Sequence, residues 1–315
     1  MQKSFQKFNK KAGEMYFTES TLETGSVLPL LHFPELSKAE FVRHCFSTRV
    51  GGVSGGIFES MNLSFARGDD PTAVQENYRR IGEAMGVLPE NMVCSDQTHT
   101  TNVRLVTKAD AGNGVTREKN FWDTDGLITN TKGLVLATFY ADCVPLYFVD
   151  PKQKAIGLSH SGWRGTVGRM GAATIQAMGE AFRSDPADLL CAIGPSICGD
   201  CYEVSEDVAA EFQLEFADYA KEIVRPAPSV RGKENQREFA GHAQEIARPV
   251  PSVGGEEKFQ LDLWRANEIV LLEAGVPKEN IETARLCTCC NPKLLFSHRA
   301  SKGKRGNLGA FLVLR

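Results

Sequence analysis

Two polar residues interrupt the most apolar stretch of the chain. Residues 134–147 read as a pair of strands, yet Asp142 and Cys143 stand between them in Ala141-Asp-Cys-Val-Pro145. A polar group in such a setting needs a partner or a task. The next strand ends in Ser159-His-Ser-Gly-Trp-Arg-Gly165, where His160 precedes a glycine turn and a helix. A hairpin through Asp150-Pro151 brings Cys143 and His160 to the same end of adjacent strands. Two chemistries fit that pairing. A thiol beside an imidazole can act as nucleophile and base, the arrangement of a cysteine hydrolase or amidase. Thiolate and imidazole are equally good metal ligands. On that reading His99, in Gln97-Thr-His99 after a short strand at 92–95, is the natural third donor. Three protein ligands leave the fourth position of a zinc ion open, as catalytic zinc requires.

Other motifs exclude chemistry. No dinucleotide fingerprint and no phosphate-binding G-x-x-x-x-G-K-[ST] loop occurs. The H-x-E of cytidine-deaminase-type zinc enzymes is missing, and Cys198-Gly-Asp-Cys201 follows Pro195 at the wrong distance for their P-C-x-x-C. Cys45 and Arg49 are separated by three residues, where a phosphatase loop needs five.

The elements that must position these residues are mostly strands. Residues 41–47 read as a strand running into the glycine-rich turn Arg49-Val-Gly-Gly-Val-Ser-Gly-Gly56. A helix follows: Asp70 caps it, Pro71 suits its first position, Val74, Tyr78 and Ile81 share one face, and Gly86 ends it. Strands are expected at 103–107, 133–140, 144–149, 155–158 and 189–193, and a helix at 165–181. Ser205 opens another helix with Val208, Phe212 and Phe216 in register, residues 263–274 form a third, and 310–314 close the chain as a strand. Helices fall between groups of strands, which points to α+β rather than to a doubly wound parallel sheet. Residues 1–25 are expected to be a poorly ordered lead-in with one edge element, and 26–315 a single domain. One internal repeat stands out: 222–234 and 245–257 match at 9 of 13 positions, offset by 23. Its Pro, Gly, Arg and Glu content suggests a flexible loop lengthened by duplication, about 222–257, and keeps His242 out of the site. With 315 residues, 42% of them apolar, and a net charge of −3, nucleic acid and membrane are not expected partners. Nine cysteines, an odd number, and no apolar segment behind Lys3, Lys7, Lys10 and Lys11 suggest a reduced, cytoplasmic setting.

Ten segments then occur in a fixed order: Cys45-Phe-Ser-Thr-Arg-Val-Gly-Gly52, Met61-Asn-Leu63, Gln97-Thr-His99, Thr124-Asp-Gly126, Ala141-Asp-Cys143, His160-Ser-Gly-Trp-Arg-Gly165, Ile193-Gly-Pro-Ser-Ile197, Cys201-Tyr-Glu-Val204, Cys287-Thr288 and Phe296-Ser-His-Arg299. Together they resemble the YfiH family, bacterial relatives of the human laccase-domain-containing protein, from about residue 41 to the end. The resemblance implies a single α+β domain with layered mixed sheets and flanking helices. It implies a purine nucleoside phosphorylase, which converts adenosine, inosine or methylthioadenosine and phosphate to the base and ribose 1-phosphate. Adenosine deaminase activity and a cell-wall-editing role are also ascribed to the family. Its metal ligands fall on His99, Cys143 and His160, a zinc site whose donors also suit copper. Phosphorolysis needs guanidinium forks for phosphate, and Arg49, Arg164 and Arg299 lie in family motifs. Asn62 is then a candidate for a sugar hydroxyl or the base. Asp142, beside the ligand Cys143, is a candidate to accept or pass a proton, which puts Asp142, Cys143 and His160 in the catalytic set.

The chain departs from the family near its end. Arg305-Gly-Asn307 replaces a common Thr-Gly-Arg and Ala300 a common arginine, so Lys302, Lys304 or Arg305 must substitute if those arginines hold phosphate. The family's other description, multicopper laccase, fails on this chain. Its six histidines, at 32, 44, 99, 160, 242 and 298, include no two within ten residues. Only single-copper oxidase side activity at the zinc ligands is compatible with that. Cys198, Cys201, Cys287, Cys289 and Cys290 supply enough thiols for a second zinc cluster. Only Cys201 and Cys287 fall in family motifs, so the other three read as local variation.

Overall fold

The structure is a computed structural model and describes residues 15–228 and 257–315. The described chain opens with β1 (Tyr16–Thr21), β2 (Val27–His32), α1 (Pro34–Lys38) and β3 (Val42–Ser47). Then come α2 (Pro71–Met85), β4 (Met92–Cys94), β5 (Val103–Leu105), β6 (Gly126–Thr129), β7 (Val135–Tyr140), β8 (Val144–Asp150) and β9 (Ala155–Ser161). α3 (Trp163–Val167), α4 (Met170–Phe182), β10 (Leu190–Ile193), β11 (Glu203–Ser205), α5 (Glu206–Glu215), α6 (Ala220–Ile223) and β12 (Val224–Pro226) follow. The last elements are β13 (Lys258–Leu261), α7 (Leu263–Glu273), β14 (Ile281–Thr283), α8 (His298–Ser301) and β15 (Leu308–Leu314).

Two six-stranded mixed sheets dominate, ordered β1-β2-β3-β15-β7-β4 and β14-β10-β8-β9-β6-β5; β11-β13-β12 form a small antiparallel third. The two large sheets face each other across one core, with Phe46, Leu136 and Leu312 from the first meeting Leu127, Tyr147 and Leu158 from the second. Helix α2 covers the outer face of the first sheet, seating Val74, Tyr78 and Ile81 on Cys45, Ala137 and Phe311. Helices α4 and α7 cover the outer face of the second, where Ile175, Met178, Ile269 and Val270 meet Val144, Leu146 and Phe148. The result is a helix, sheet, sheet, helix stack, the layered α+β architecture expected from the family resemblance. Strands with both faces covered carry near-continuous apolar runs; every residue of β8 and β9 is buried.

Local sequence explains the element ends. Asp70 caps α2 by accepting from the Thr72 N–H, Pro71 takes the first turn, and Gly86 ends the helix at φ +63°. The hairpin through Asp150 pairs Pro145 with His160 and Val144 with Ser161. No helix among the described residues is long and apolar enough to cross a membrane.

The edge element expected within the lead-in is present: β1 borders the first sheet and pairs with β2 along its whole length, and Met15 and Leu22 are buried, so the folded unit takes in chain from Met15 rather than from residue 26. Two further expectations need correction. The helix expected at 165–181 is two helices broken at Gly168 and Arg169. Arg169 has φ +61° and its guanidinium reaches Glu215 and Glu273, so tertiary ion pairs win over helix continuation. The duplicated segment does not begin as a loop: Ile223 and Val224 are buried in α6 and β12, and β12 pairs with β13. Residues 229–256, His242 included, lie outside the described residues.

Candidate active site

The chain crosses from the first sheet to the second in the segment between β4 and β5 and again in the turn between β7 and β8. Each crossing carries a donor. His99 lies in the first at φ +68°, Cys143 in the second after Asp142 at φ +94°, and His160 near the end of β9. Their ligand atoms lie within 4.8 Å of one another. The Cys143 Sγ is 3.9 Å from His99 Nε2, and the two imidazoles meet edge to face with centroids 4.9 Å apart. The structure thus brings together the three residues proposed from the sequence as metal ligands. His160 is buried, Cys143 half-buried and His99 exposed, so the cluster opens toward solvent on one side.

One carboxylate that sequence reasoning left without a role orders this cluster. Asp125 is fully buried, and its Oδ1 lies 2.7 Å from His160 Nδ1. The carboxylate also accepts from the backbone N–H groups of Thr98, His99 and Thr100 and from the Thr100 hydroxyl. It therefore fixes the His160 tautomer, turning Nε2 toward Cys143, and holds the loop that presents His99. A carboxylate behind a ligand histidine is the usual support of a metal site. The only sequence signal was its place in Thr124-Asp-Gly126. Gln97 completes the support, exchanging two 2.7 Å hydrogen bonds with the Phe139 backbone and pinning the His99 loop to β7.

Charge follows the geometry. Burial alone would raise the Cys143 thiol, but the facing His160 and His99 bring it down to about 6. Burial would lower His160, but the Cys143 thiolate and the Asp125 hydrogen bond raise it to about 9. Burial works against ionised Asp125 too, yet His160 and the backbone N–H groups hold it below the ordinary carboxylate value. A thiolate and two imidazoles, one with its tautomer set from behind, match the donor set of zinc and neighbouring soft divalent ions. Gly162 keeps the wall thin, since a Cβ there would stand 2.8 Å from His99 Cδ2 and 3.2 Å from Cys143 Sγ.

The other candidates divide. Asp142 is buried and occupied: it accepts from the Thr288 hydroxyl at 2.6 Å and from the Arg299 backbone N–H at 2.7 Å. It anchors the Cys143 turn rather than standing free to carry a proton. Asn62 is fully buried and spent, donating to the Ser64 carbonyl and Asp69 and accepting from the Ser64 and Asn307 N–H groups, so it does not reach a sugar or base. Arg49 stacks on Phe296 and binds the Glu59 and Pro292 carbonyls, tying its glycine-rich turn to the segment before α8. Arg164 is exposed over the Trp163 ring at the start of α3, two residues after Gly162. Arg299 is exposed as well, with its fork on the Cys201 and Glu203 carbonyls. Of the residues named as substitutes near the chain end, Arg305 is the one that faces the site. It is half-buried; its Nη1 donates to the Gly306 carbonyl and Asn307 Oδ1, its Nε is buried without a hydrogen-bond partner, and its guanidinium feels Asp142, Cys143 and Arg67. Burial and Arg67 push it down to about 10.

The family model described as multi-copper polyphenol oxidoreductase laccase matches residues 43–315. Purine nucleoside phosphorylase YlmD of Geobacillus stearothermophilus is 35% identical over 273 residues, 85% of this chain and 89% of that protein. Adenosine deaminase RL5, from an unknown prokaryotic organism, is 30% identical over 274 residues, 84% and 93% of the two chains. The crystal structure of the Bacillus licheniformis hypothetical protein YfiH matches with a TM-score of 0.79 at 28% identity, covering 95% of this chain and 99% of that one.

Proposed function

Because this chain belongs to the YfiH, or laccase-domain, family, we propose that it is a purine nucleoside phosphorylase whose active site is the cluster of His99, Cys143 and His160 backed by Asp125. The observation that carries the reading is the convergence of a third donor, His99, on the Cys143–His160 pair, because a nucleophile dyad has no use for it. A zinc ion held by the three would act as a Lewis acid and lower the pKa of a water at its open position. The chain's own groups do the rest. Arg305, with an unpaired Nε, and the exposed Arg164 and Arg299 offer the positive charge that gathers phosphate. Phosphate oxygen forms a bond to the sugar C1′ as the bond from C1′ to the purine nitrogen breaks, and the departing base takes up a proton. Asp142 keeps the Cys143 turn and the Arg299 backbone in place during that exchange.

The relatives named for phosphorolysis and for adenosine deamination leave a second activity within reach of the same open position. The deciding experiment follows ribose 1-phosphate and inosine from purified protein supplied with inosine or adenosine. We expect base release to require phosphate, and Cys143→Ala to lose that activity together with one metal equivalent. Phosphate-independent turnover, or full activity of metal-stripped protein, would instead favour Cys143 as the nucleophile of a hydrolase or amidase. The family's copper description does not extend to a multicopper centre here, because the described histidines group with Cys143 only at 99 and 160.

A further inference from the structure

Four more thiols converge outside the active site. Cys198-Gly-Asp-Cys201 lies in the loop after β10 and Cys287-Thr-Cys-Cys290 in the loop after β14, two strands that pair in parallel and therefore release their loops at the same end. The loops are laced together: the Ser196 N–H donates to the Leu286 carbonyl and the Thr288 N–H to the Ser196 carbonyl. All four sulfurs lie within 4.8 Å of one another. A tetrahedral zinc with Zn–S near 2.3 Å separates its sulfurs by about 3.8 Å, so closing on an ion asks for shifts of about 1 Å or less. Backbone N–H groups of Cys198 and Cys290 already point at the Cys287 Sγ, at 3.3 and 3.4 Å. Such N–H···S contacts stabilise thiolate charge.

We propose that Cys198, Cys201, Cys287 and Cys290 form a second metal site, a structural zinc centre with four thiolate ligands. Two C-x-x-C pairs on separate loops supply the spacing, and four protein ligands leave no position open for chemistry. Binding exchanges four S–H bonds for four Zn–S bonds and releases four protons, leaving the centre at net charge −2. The Arg299 guanidinium, bonded to the Cys201 and Glu203 carbonyls, brings opposite charge beside it. The centre clamps the segment whose Thr288 and Arg299 hold the two oxygens of Asp142, so it braces the Cys143 turn from behind. Cys289, between the two ligands of its loop, is outside the four.

Metal analysis of full-length protein purified from zinc-supplemented cells tests this. Wild type should carry two zinc ions per chain, and Cys143→Ala one. Because Cys143→Ala leaves all four thiols intact, that reading does not depend on whether a cluster variant folds. Cobalt-exchanged Cys143→Ala should show the intense visible bands and thiolate charge-transfer absorption of a tetrahedral four-sulfur site. Cys290→Ser should lose one of the two ions, and Cys289→Ser should keep both. Metal-free Cys143→Ala, iron in place of zinc at the thiols, or a Cys201–Cys290 disulfide in protein handled anaerobically would each overturn the proposal. The last outcome has a geometric basis, since those two sulfurs lie 3.4 Å apart.

Discussion

Asp125 shows how unevenly a sequence advertises its working residues. Asp142 and Cys143 are conspicuous because they break an apolar run, and His160 because it ends a strand before a glycine turn. Asp125 sits in Thr124-Asp-Gly126, which reads as an ordinary turn, although its carboxylate supports two of the three donors. Asp125→Asn keeps the size but offers His160 Nδ1 an amide and gives up charge against three backbone N–H groups. Metal affinity should fall about 10–100-fold, as read by titration against a competing chelator, with the fold retained by circular dichroism. Asn62 teaches the reverse lesson. A motif position suggested a substrate contact, yet its amide is saturated inside the protein. Asn62→Ala leaves buried partners unpaired and should cost about 1–3 kcal/mol of stability, measured by urea unfolding, while KM for nucleoside stays near wild type.

Elements were legible where period and punctuation coincide. Helix α2, with its cap, proline, apolar stripe and terminal glycine, runs as read. The break between α3 and α4 was not legible, because it depends on Glu215 and Glu273, 46 and 104 residues away from Arg169. Short strands such as β12 and β13 escaped for a related reason: three or four residues carry too little periodicity, and their partners fix them. The α3 approach matters most for the site. Gly162 precedes that helix against His99 and Cys143, so Gly162→Ala must push one ligand aside. We expect the variant to fold with a small change in Tm but to lose the active-site ion, a contrast visible by pairing calorimetry with metal analysis.

At the scale of the molecule, the layered class could be read from strand-rich halves with helices set between them, whereas strand order could not, since nothing local says that the last strand joins the first sheet between β3 and β7. Acid response is also a whole-molecule property. Buried His44 accepts the Phe33 N–H at Nε2, 2.8 Å away, and burial with neighbouring His32 lowers it to about 3. An unfolded chain takes up that proton near pH 6.5 while the fold refuses it, so stability falls as pH drops from about 6.5 toward 3. The slope from this group is up to about 1.4 kcal/mol per pH unit, and His32, lowered in the same sense, adds to it. Urea midpoints at pH 7 and 5 should differ accordingly, and less so in His44→Gln. The central place of β15 has a further consequence, for biosynthesis. A nascent chain still lacking Leu308–Leu314 holds β3 and β7 with bare facing edges. The three donors of the active site all precede β15, yet the first sheet stays unzipped between β3 and β7 until residues 308–314 have emerged, so any truncation ahead of Leu308 leaves two sticky borders exposed to aggregation and proteolysis.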